Sequence, residues 1–185
     1  MQDYSTLTTC KKLEVVLQGK VSYPNTTTYE SSIDSYFYET ARERPDCILS
    51  PVSAQDVAKA IPIIASSNQT KFAFRSGGHS PHPEISNTED GVTIDLRGLN
   101  SIVFSKKDNV LQIGAGAGWS KAYDYLNAMN RTAVGARASS IGVGGFTSGG
   151  RLRRVLILSE GKTDQLPRRP FVLLARAWFR MRQCG

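Results

Sequence analysis

Residues 71–80 read Lys71-Phe-Ala-Phe-Arg75-Ser76-Gly77-Gly78-His79-Ser80, and the reading of the fold turns on them. The first five residues alternate like a β-strand. The chain then meets two adjacent glycines. Glycine has no Cβ and tolerates positive φ, so successive backbone N–H groups there can converge on one anion. Arg75 adds charge, and Ser76 and Ser80 add hydroxyl donors. A strand running straight into such a turn suits a pyrophosphate, with His79 placed where it can reach a ligand. A plain tight turn is written with the same letters, so the segment needs support from the rest of the chain.

Outward from it, residues 80–90 (SPHPEISNTED) carry turn chemistry throughout and predict a loop, with His82 solvated within it. Val92–Leu96, Ser101–Phe104 and Asn109–Ile113 predict strands, the last two joined by a turn at Lys106-Lys107-Asp108. Trp119–Met129 predicts a helix, and Tyr123 and Tyr125 on it read as packing residues. Upstream, Cys47–Leu49 predicts a short buried strand. Ser53 then caps a helix carrying Gln55 and Asp56 in its first turn and Val57, Ile61 and Ile64 on one face, with Pro62 expected to kink or end it. Residues 5–18, closed by Gly19, and Tyr29–Tyr38 predict two more helices, separated by a turn at Pro24-Asn25. Helices mix with short strands and hairpins without strict alternation, which predicts an α+β fold.

Two further glycine segments bear on the ligand. Gly114-Ala-Gly116-Ala-Gly118 lies between a strand and a helix, the context of a dinucleotide fingerprint, but the third glycine of that pattern falls on Trp119. The acidic residue the fingerprint needs further on is also missing, since no Asp or Glu lies between Asp124 and Glu160. The segment reads instead as a strand end passing close to another backbone. Residues 139–150 (SSIGVGGFTSGG) hold five glycines between Gly142 and Gly150, too many for a packed strand or helix, and predict a second loop that a ligand approaches closely. Together the two loops suit one ligand carrying a diphosphate.

The 185-residue chain has a net charge of +7. Residues 1–150 carry 14 basic and 14 acidic side chains, whereas 151–185 carry nine basic and two acidic ones. The excess is confined to the last segment, which argues against a nucleic-acid-binding body. Arg176 and Arg180, four apart in the 171–182 stretch, allow a basic helix, but that stretch is apolar nearly all round. The plainer expectation is that 151–185 is no part of the fold. No apolar run is long enough to cross a membrane, and the first residues lack a secretory pattern, so the expectation is a cytoplasmic protein with reduced thiols at Cys10, Cys47 and Cys184. The absence of any Cys/His cluster predicts no metal site.

KFAFRSGGHS, GVTIDLRGLNSI, VLQIGAGAGWSKAYDYL and the VGxxxSSIGVGG run, in order, resemble the FAD-binding domain of the vanillyl-alcohol-oxidase/PCMH-type flavoproteins, most closely the berberine-bridge-enzyme-like FAD-linked oxidoreductases of fungi. ILSPVSAQDVAKAI matches the same family's P-x-S-x-x-D/E-V helix start. The resemblance covers residues 10–150. It implies a PCMH-type domain of two small subdomains over 1–150, incomplete, with FAD lying between them and an unrelated basic tail at 151–185. By position, Arg75, Ser76, Gly77, Gly78, His79 and Ser80 form the first FAD loop, and Ser139, Ser140, Gly142, Gly144 and Gly145 the second. His79 matches the histidine that many members bond to the flavin. Bicovalent members carry a cysteine where this chain has Ala138, so a single link through His79 is implied. The resemblance also allows a Cys10–Cys47 pair, as in some secreted relatives.

It implies an oxidoreductase that passes a hydride from a small organic substrate to FAD, with dioxygen as acceptor, in secondary-metabolite biosynthesis. No residue of this chain reads as a catalytic base. A non-catalytic remnant, or a flavin- or partner-binding module, is the alternative; a basic-tailed nucleic-acid binder is a remote one.

Overall fold

The computed structural model describes residues 4–67, 69–149 and 171–172, and divides into two compact units, Met1–Leu99 and Asn100–Gly185. The first unit opens with α1 (Tyr4–Val16). Its buried residues Thr6, Thr9, Cys10 and Leu13 follow a helical stripe that continues into Leu17, and Gly19, at φ 73°, turns the chain out of it. After β1 (Val21–Ser22), α2 (Thr27–Asp34) starts at Thr26, whose side chain accepts the Tyr29 N–H. This helix ends before the expected Tyr38. Tyr36 leaves the helical path to be buried, with its hydroxyl donating to the Ser86 carbonyl at 2.8 Å, and a 3-10 turn follows at Glu39–Ala41.

β2 (Cys47–Leu49) is buried along its length, and α3 (Ala54–Ala65) follows it. A reciprocal cap starts α3: the Ser53 hydroxyl accepts the Asp56 N–H at 3.1 Å, and the Asp56 carboxylate accepts the Ser53 N–H at 3.1 Å. Lys20 lies 2.7 Å from the same carboxylate. Hydrogen bonds from Lys20 first and then from the Val52 N–H outweigh the opposing effect of burial and lower its pKa to about 2. Drawing Asp56 inward rotates the buried stripe to Asp56, Ala60 and Ile64, so the expected Ile61 is 36% exposed. Pro62 does not end the helix, which runs three residues beyond it.

β3 (Lys71–Arg75) and β4 (Gly91–Asp95) complete a sheet ordered β1-β2-β4-β3, in which β2, β4 and β3 are parallel and β1 is antiparallel. Because β3 and β4 are parallel, the connection between them must return the full length of the strands. Residues 76–90 make that crossing as a loop without a helix. It is pinned at Asn87, which is fully buried: its amide donates to the Ala41 and Glu43 carbonyls at 3.0 and 2.7 Å, and its carbonyl accepts from Thr93 at 2.7 Å. The loop predicted from turn chemistry is present, but Ser86, Asn87 and Thr88 are buried within it.

A disulfide joins Cys10 on α1 to Cys47 on β2. This corrects the expectation of reduced thiols at these two positions; the pair lies inside the unit, with both residues fully buried. Closing a loop across 37 positions restricts the unfolded chain by about 4 kcal/mol in the chain-entropy account. Reducing the bond is therefore expected to lower the melting temperature of this unit by several degrees, measurable by calorimetry with and without reductant.

The second unit pairs β5 (Ile102–Ser105) with β6 (Val110–Ile113) in an antiparallel hairpin, followed by α4 (Trp119–Asn127). Trp119, Ala122 and Leu126 of α4 are buried with Leu111, Ile113, Ala117, Ala133, Ala136 and Val143. Tyr123 packs beside this core and donates its hydroxyl to the Ala136 carbonyl at 2.6 Å, whereas Tyr125 is 38% exposed and does not pack as expected. β7 (Thr132–Ala133) pairs in parallel with a two-residue β8 (Phe171–Val172). A helix over 171–182 therefore does not hold at its first two residues. The rest of that reading, and Cys184, fall outside the described residues.

Candidate functional site

The loop at Ser76–Ser80 leaves the C-terminal end of β3, where Arg75 is registered against Asp95 at the end of β4. Open α/β sheets place ligands at this end of their parallel strands. Gly78 has φ 66°, and a Cβ built on it would stand 3.0 Å from the Arg75 Nε and from the Tyr36 ring. Arg75 and Tyr36 are both buried, so neither can yield easily. Only glycine meets both conditions.

Arg75 does not lie where the sequence reading put it. Its side chain is 1% exposed and points inward. The guanidinium lies over the Tyr36 ring, 3.6 Å from the centroid. Nη1 donates to the Ser32 carbonyl at 2.7 Å and to the Ser32 hydroxyl at 3.1 Å, and Nη2 donates to the Ser35 hydroxyl at 3.0 Å. Nε, beneath Gly78, has no hydrogen-bond partner. Asp95 is 4.0 Å from Nη1 and takes hydrogen bonds from the Arg97 N–H and Nε at 3.1 and 2.9 Å and from the Ser32 hydroxyl at 3.1 Å. Burial opposes ionisation of Asp95, but the hydrogen bonds from Arg97 and the charges of Arg97 and Arg75 outweigh it and hold the carboxyl below its usual value. Burial likewise pulls the Arg75 pKa down from its ordinary value. Arg97 was missed in the sequence. Its signal was an Asp-x-Arg spacing directly after a strand, which reads as turn chemistry until the fold brings Arg75 beside it.

His79 is half-buried. Its ring stacks on Phe37, with centroids 4.2 Å apart and planes 30° apart, and lies 5.9 Å from the Tyr38 ring. The Phe37 N–H donates to the Gly78 carbonyl at 3.5 Å, which ties the aromatic pair to the loop. Phe37 itself is 59% exposed. Ser80 is half-buried, and its hydroxyl accepts the His82 N–H at 3.3 Å; His82 is exposed, as expected.

In the second unit, Gly118 and Gly142 face each other in an isolated antiparallel bridge, the close backbone approach expected of the 114–118 segment. The glycine-rich run is not all loop. Val143–Ser148 forms a short helix, α5, starting at Gly142, which corrects the expectation that its glycines exclude a helix. Tertiary hydrogen bonds hold its first turn: the Val143 and Gly144 N–H groups donate to the Ala117 and Ala115 carbonyls at 2.8 and 3.1 Å. Ser139, Ser140 and Gly145 are exposed, and a Cβ at Gly145 would meet nothing within 4 Å.

The Ser76–Ser80 loop, with Gly78 at positive φ above a buried guanidinium at the end of parallel strands, fits an anion held by backbone and hydroxyl groups. A diphosphate is the anion the sequence suggested for this loop. Comparison with known proteins sharpens this. Residues 45–155 match the FAD binding domain family, and the chain belongs to that family. It is 38% identical over 143 residues to the FAD-dependent monooxygenase sdcF of Emericella nidulans, covering 77% of this chain and 30% of that protein. The crystal structure of 6-hydroxy-D-nicotine oxidase from Arthrobacter nicotinovorans superposes with a TM-score of 0.61 at 28% identity, over 68% of this chain and 27% of that one. The BBE-like protein 28 of Arabidopsis thaliana has the same fold, with a TM-score of 0.65 at 22% identity over 77% and 29% of the two chains. The chain thus spans less than a third of the length of these relatives. FAD is the cofactor of the domain, and the fold is the α+β PCMH/BBE-like one expected from the sequence.

Proposed function

We propose that this chain is the FAD-binding part of a fungal-type FAD-linked oxidoreductase acting on a small organic molecule in secondary metabolism. The observation that carries the proposal is the Ser76–Ser80 loop, with Gly78 locked at positive φ and His79 presented beside it on Phe37. In this reading the loop amides and the half-buried Ser80 hydroxyl hold the diphosphate, and Ser76, which is buried, belongs to the frame of the cradle. Arg75 braces the loop from below, and His79 makes the single covalent link. Ser139, Ser140, Gly142, Gly144 and Gly145 belong to the second cofactor contact; the Val143 and Gly144 N–H groups hold α5 in place, which leaves the exposed Ser139, Ser140 and Gly145 as its contact points. When bound, FAD would supply a two-electron acceptor for a substrate hydride, with dioxygen and one further proton taking the pair on as hydrogen peroxide. The chain's own residues bind and orient the cofactor; no described residue is assigned as a base.

The same reading takes 1–150 as the domain and 151–185 as a separate tail, with two findings against so sharp a boundary: the family match runs on to residue 155, and Phe171–Val172 pairs with β7. Among the described residues, no helix is long and apolar enough to cross a membrane. The Cys10–Cys47 disulfide favours an oxidising compartment over the cytoplasm. A small-molecule substrate is the partner in this reading, with no role for nucleic acid.

Anaerobic reduction of the flavin-loaded chain, followed by exposure to air, tests the redox proposal. The expected result is reoxidation with release of hydrogen peroxide equivalent to the flavin. A reduced flavin that survives in air would remove dioxygen as the acceptor.

A further inference from the structure

Beneath the loop, two guanidiniums face one carboxylate. Arg75 is 1% exposed, and the side chain of Asp95 is 4% exposed. Arg97 is 38% exposed, and its Nη1 and Nη2 donate to the Ser35 and Ser32 hydroxyls at 2.8 and 2.9 Å. Asp95 accepts from Arg97 through three of its donors, the backbone N–H, Nε and Nη2, which fixes that guanidinium against the end of β4. Arg75 makes no such close pair with Asp95; its nearest approach is 4.0 Å. The cluster therefore keeps one uncompensated positive charge, and Arg75 Nε, 3.0 Å from the Cβ position of Gly78, carries that charge to the underside of the loop. Nε is buried and has no hydrogen-bond partner within the chain.

We propose that Arg75, Asp95 and Arg97 act as a positioning and charge-setting unit that makes the Ser76–Ser80 loop select a diphosphate through space. This inference rests on the FAD assignment of that loop. A fixed charge in a poorly hydrated site acts on an anion several ångströms away far more strongly than the same charge in water, and needs no contact. The uncharged part of the ligand gains nothing from it. The unit therefore controls the ratio of affinities for ligands with and without the diphosphate, and a structural role differs in that it would lower this ratio in Asp95→Asn as well, where the charge account raises it.

The test uses the full 185-residue chain in a His79→Ala background, so that binding is reversible, with FAD and riboflavin as probes read by flavin fluorescence. Arg97→Gln is expected to lower the FAD-to-riboflavin affinity ratio by about tenfold, as removal of one nearby charge predicts. Arg97→Lys keeps the charge and is expected to keep the ratio within about threefold. Asp95→Asn removes the compensating negative charge and is expected to raise the ratio severalfold. Circular dichroism checks each fold. If Arg97→Gln does not fold, the opposite directions expected for Asp95→Asn and a structural defect still decide the matter. Equal losses for both flavins in the folded variants would overturn the proposal. A His79→Ala chain that takes up neither flavin would instead remove the FAD assignment on which the proposal stands.

Discussion

Gly78→Ala is expected to strip the chain of its flavin while leaving the rest of the first unit folded. The backbone at Gly78 has φ 66°, where an L side chain costs about 1–2 kcal/mol. The new methyl would also stand 3.0 Å from Arg75 Nε and from the Tyr36 ring. Neither neighbour can retreat: the Arg75 guanidinium is held by Ser32 and Ser35, and the Tyr36 hydroxyl by the Ser86 carbonyl. The backbone has to move instead, and with it the amides of the cradle. Moving the amides off the diphosphate breaks several hydrogen bonds to a charged group, each worth about 1.5–3 kcal/mol. The measurement is the ratio of flavin to protein absorbance after desalting, read beside the melting temperature. The absorbance ratio should collapse while the melting temperature falls by only a few degrees. A variant that keeps its flavin would show that Gly78 is only a turn residue.

The second large effect is expected at Gly135. A Cβ built there would fall inside contact distance of the Trp119 six-membered ring, with Cδ2 at 2.6 Å and Cε3 and Cζ3 closer still. Trp119 is fully buried at the centre of the second unit's core, with Tyr123 and Phe146 rings 5.7 and 5.5 Å away. It has no vacant side to turn toward. Overpacking a close-packed core costs about 1–3 kcal/mol and more where nothing relaxes, so Gly135→Ala is expected to lie at the upper end. The clashing atoms all belong to the benzo half of the indole. Trp119→Phe removes that half, leaving a cavity worth about 1–3 kcal/mol on its own. The alanine methyl should then partly fill the space, and the double variant should be more stable than the sum of the two single effects. Denaturant melts of the four proteins measure this coupling; strict additivity would mean that the ring and the glycine do not share the space.

Much of this architecture was legible in the sequence because local chemistry and tertiary role agreed. Ser53 ahead of Gln55 and Asp56 spells a helix start, Lys71–Arg75 spells a strand, and Lys106–Asp108 spells the turn of a hairpin; all three are present, the first as a full capping box. The loop at 76–90 was legible as loop but not as a parallel crossover, because pairing direction leaves no local mark. The misreadings share a different cause. Ile61 looks like core until Lys20 and the cap draw Asp56 inward. The 142–150 run looks too glycine-rich for a helix until the Ala115 and Ala117 carbonyls hold its first turn. Arg75 looks like a surface charge for a phosphate until Tyr36, Ser32 and Ser35, all distant in sequence, enclose it. In each case a tertiary partner outweighed the local signal. The Cys10–Cys47 bond is of the same kind, since it depends on α1 meeting β2 and not on any cysteine spacing.

The central claim is that the Ser76–Ser80 loop holds FAD and that His79 bonds to it. The most direct measurement is the flavin retained by the chain after acid precipitation, compared between the natural sequence and His79→Ala. The account predicts a yellow pellet with stoichiometric flavin for the natural chain, and a colourless pellet for His79→Ala with FAD recovered in the supernatant. A colourless pellet from the natural chain, together with failure of the native protein to take up added FAD, would contradict it.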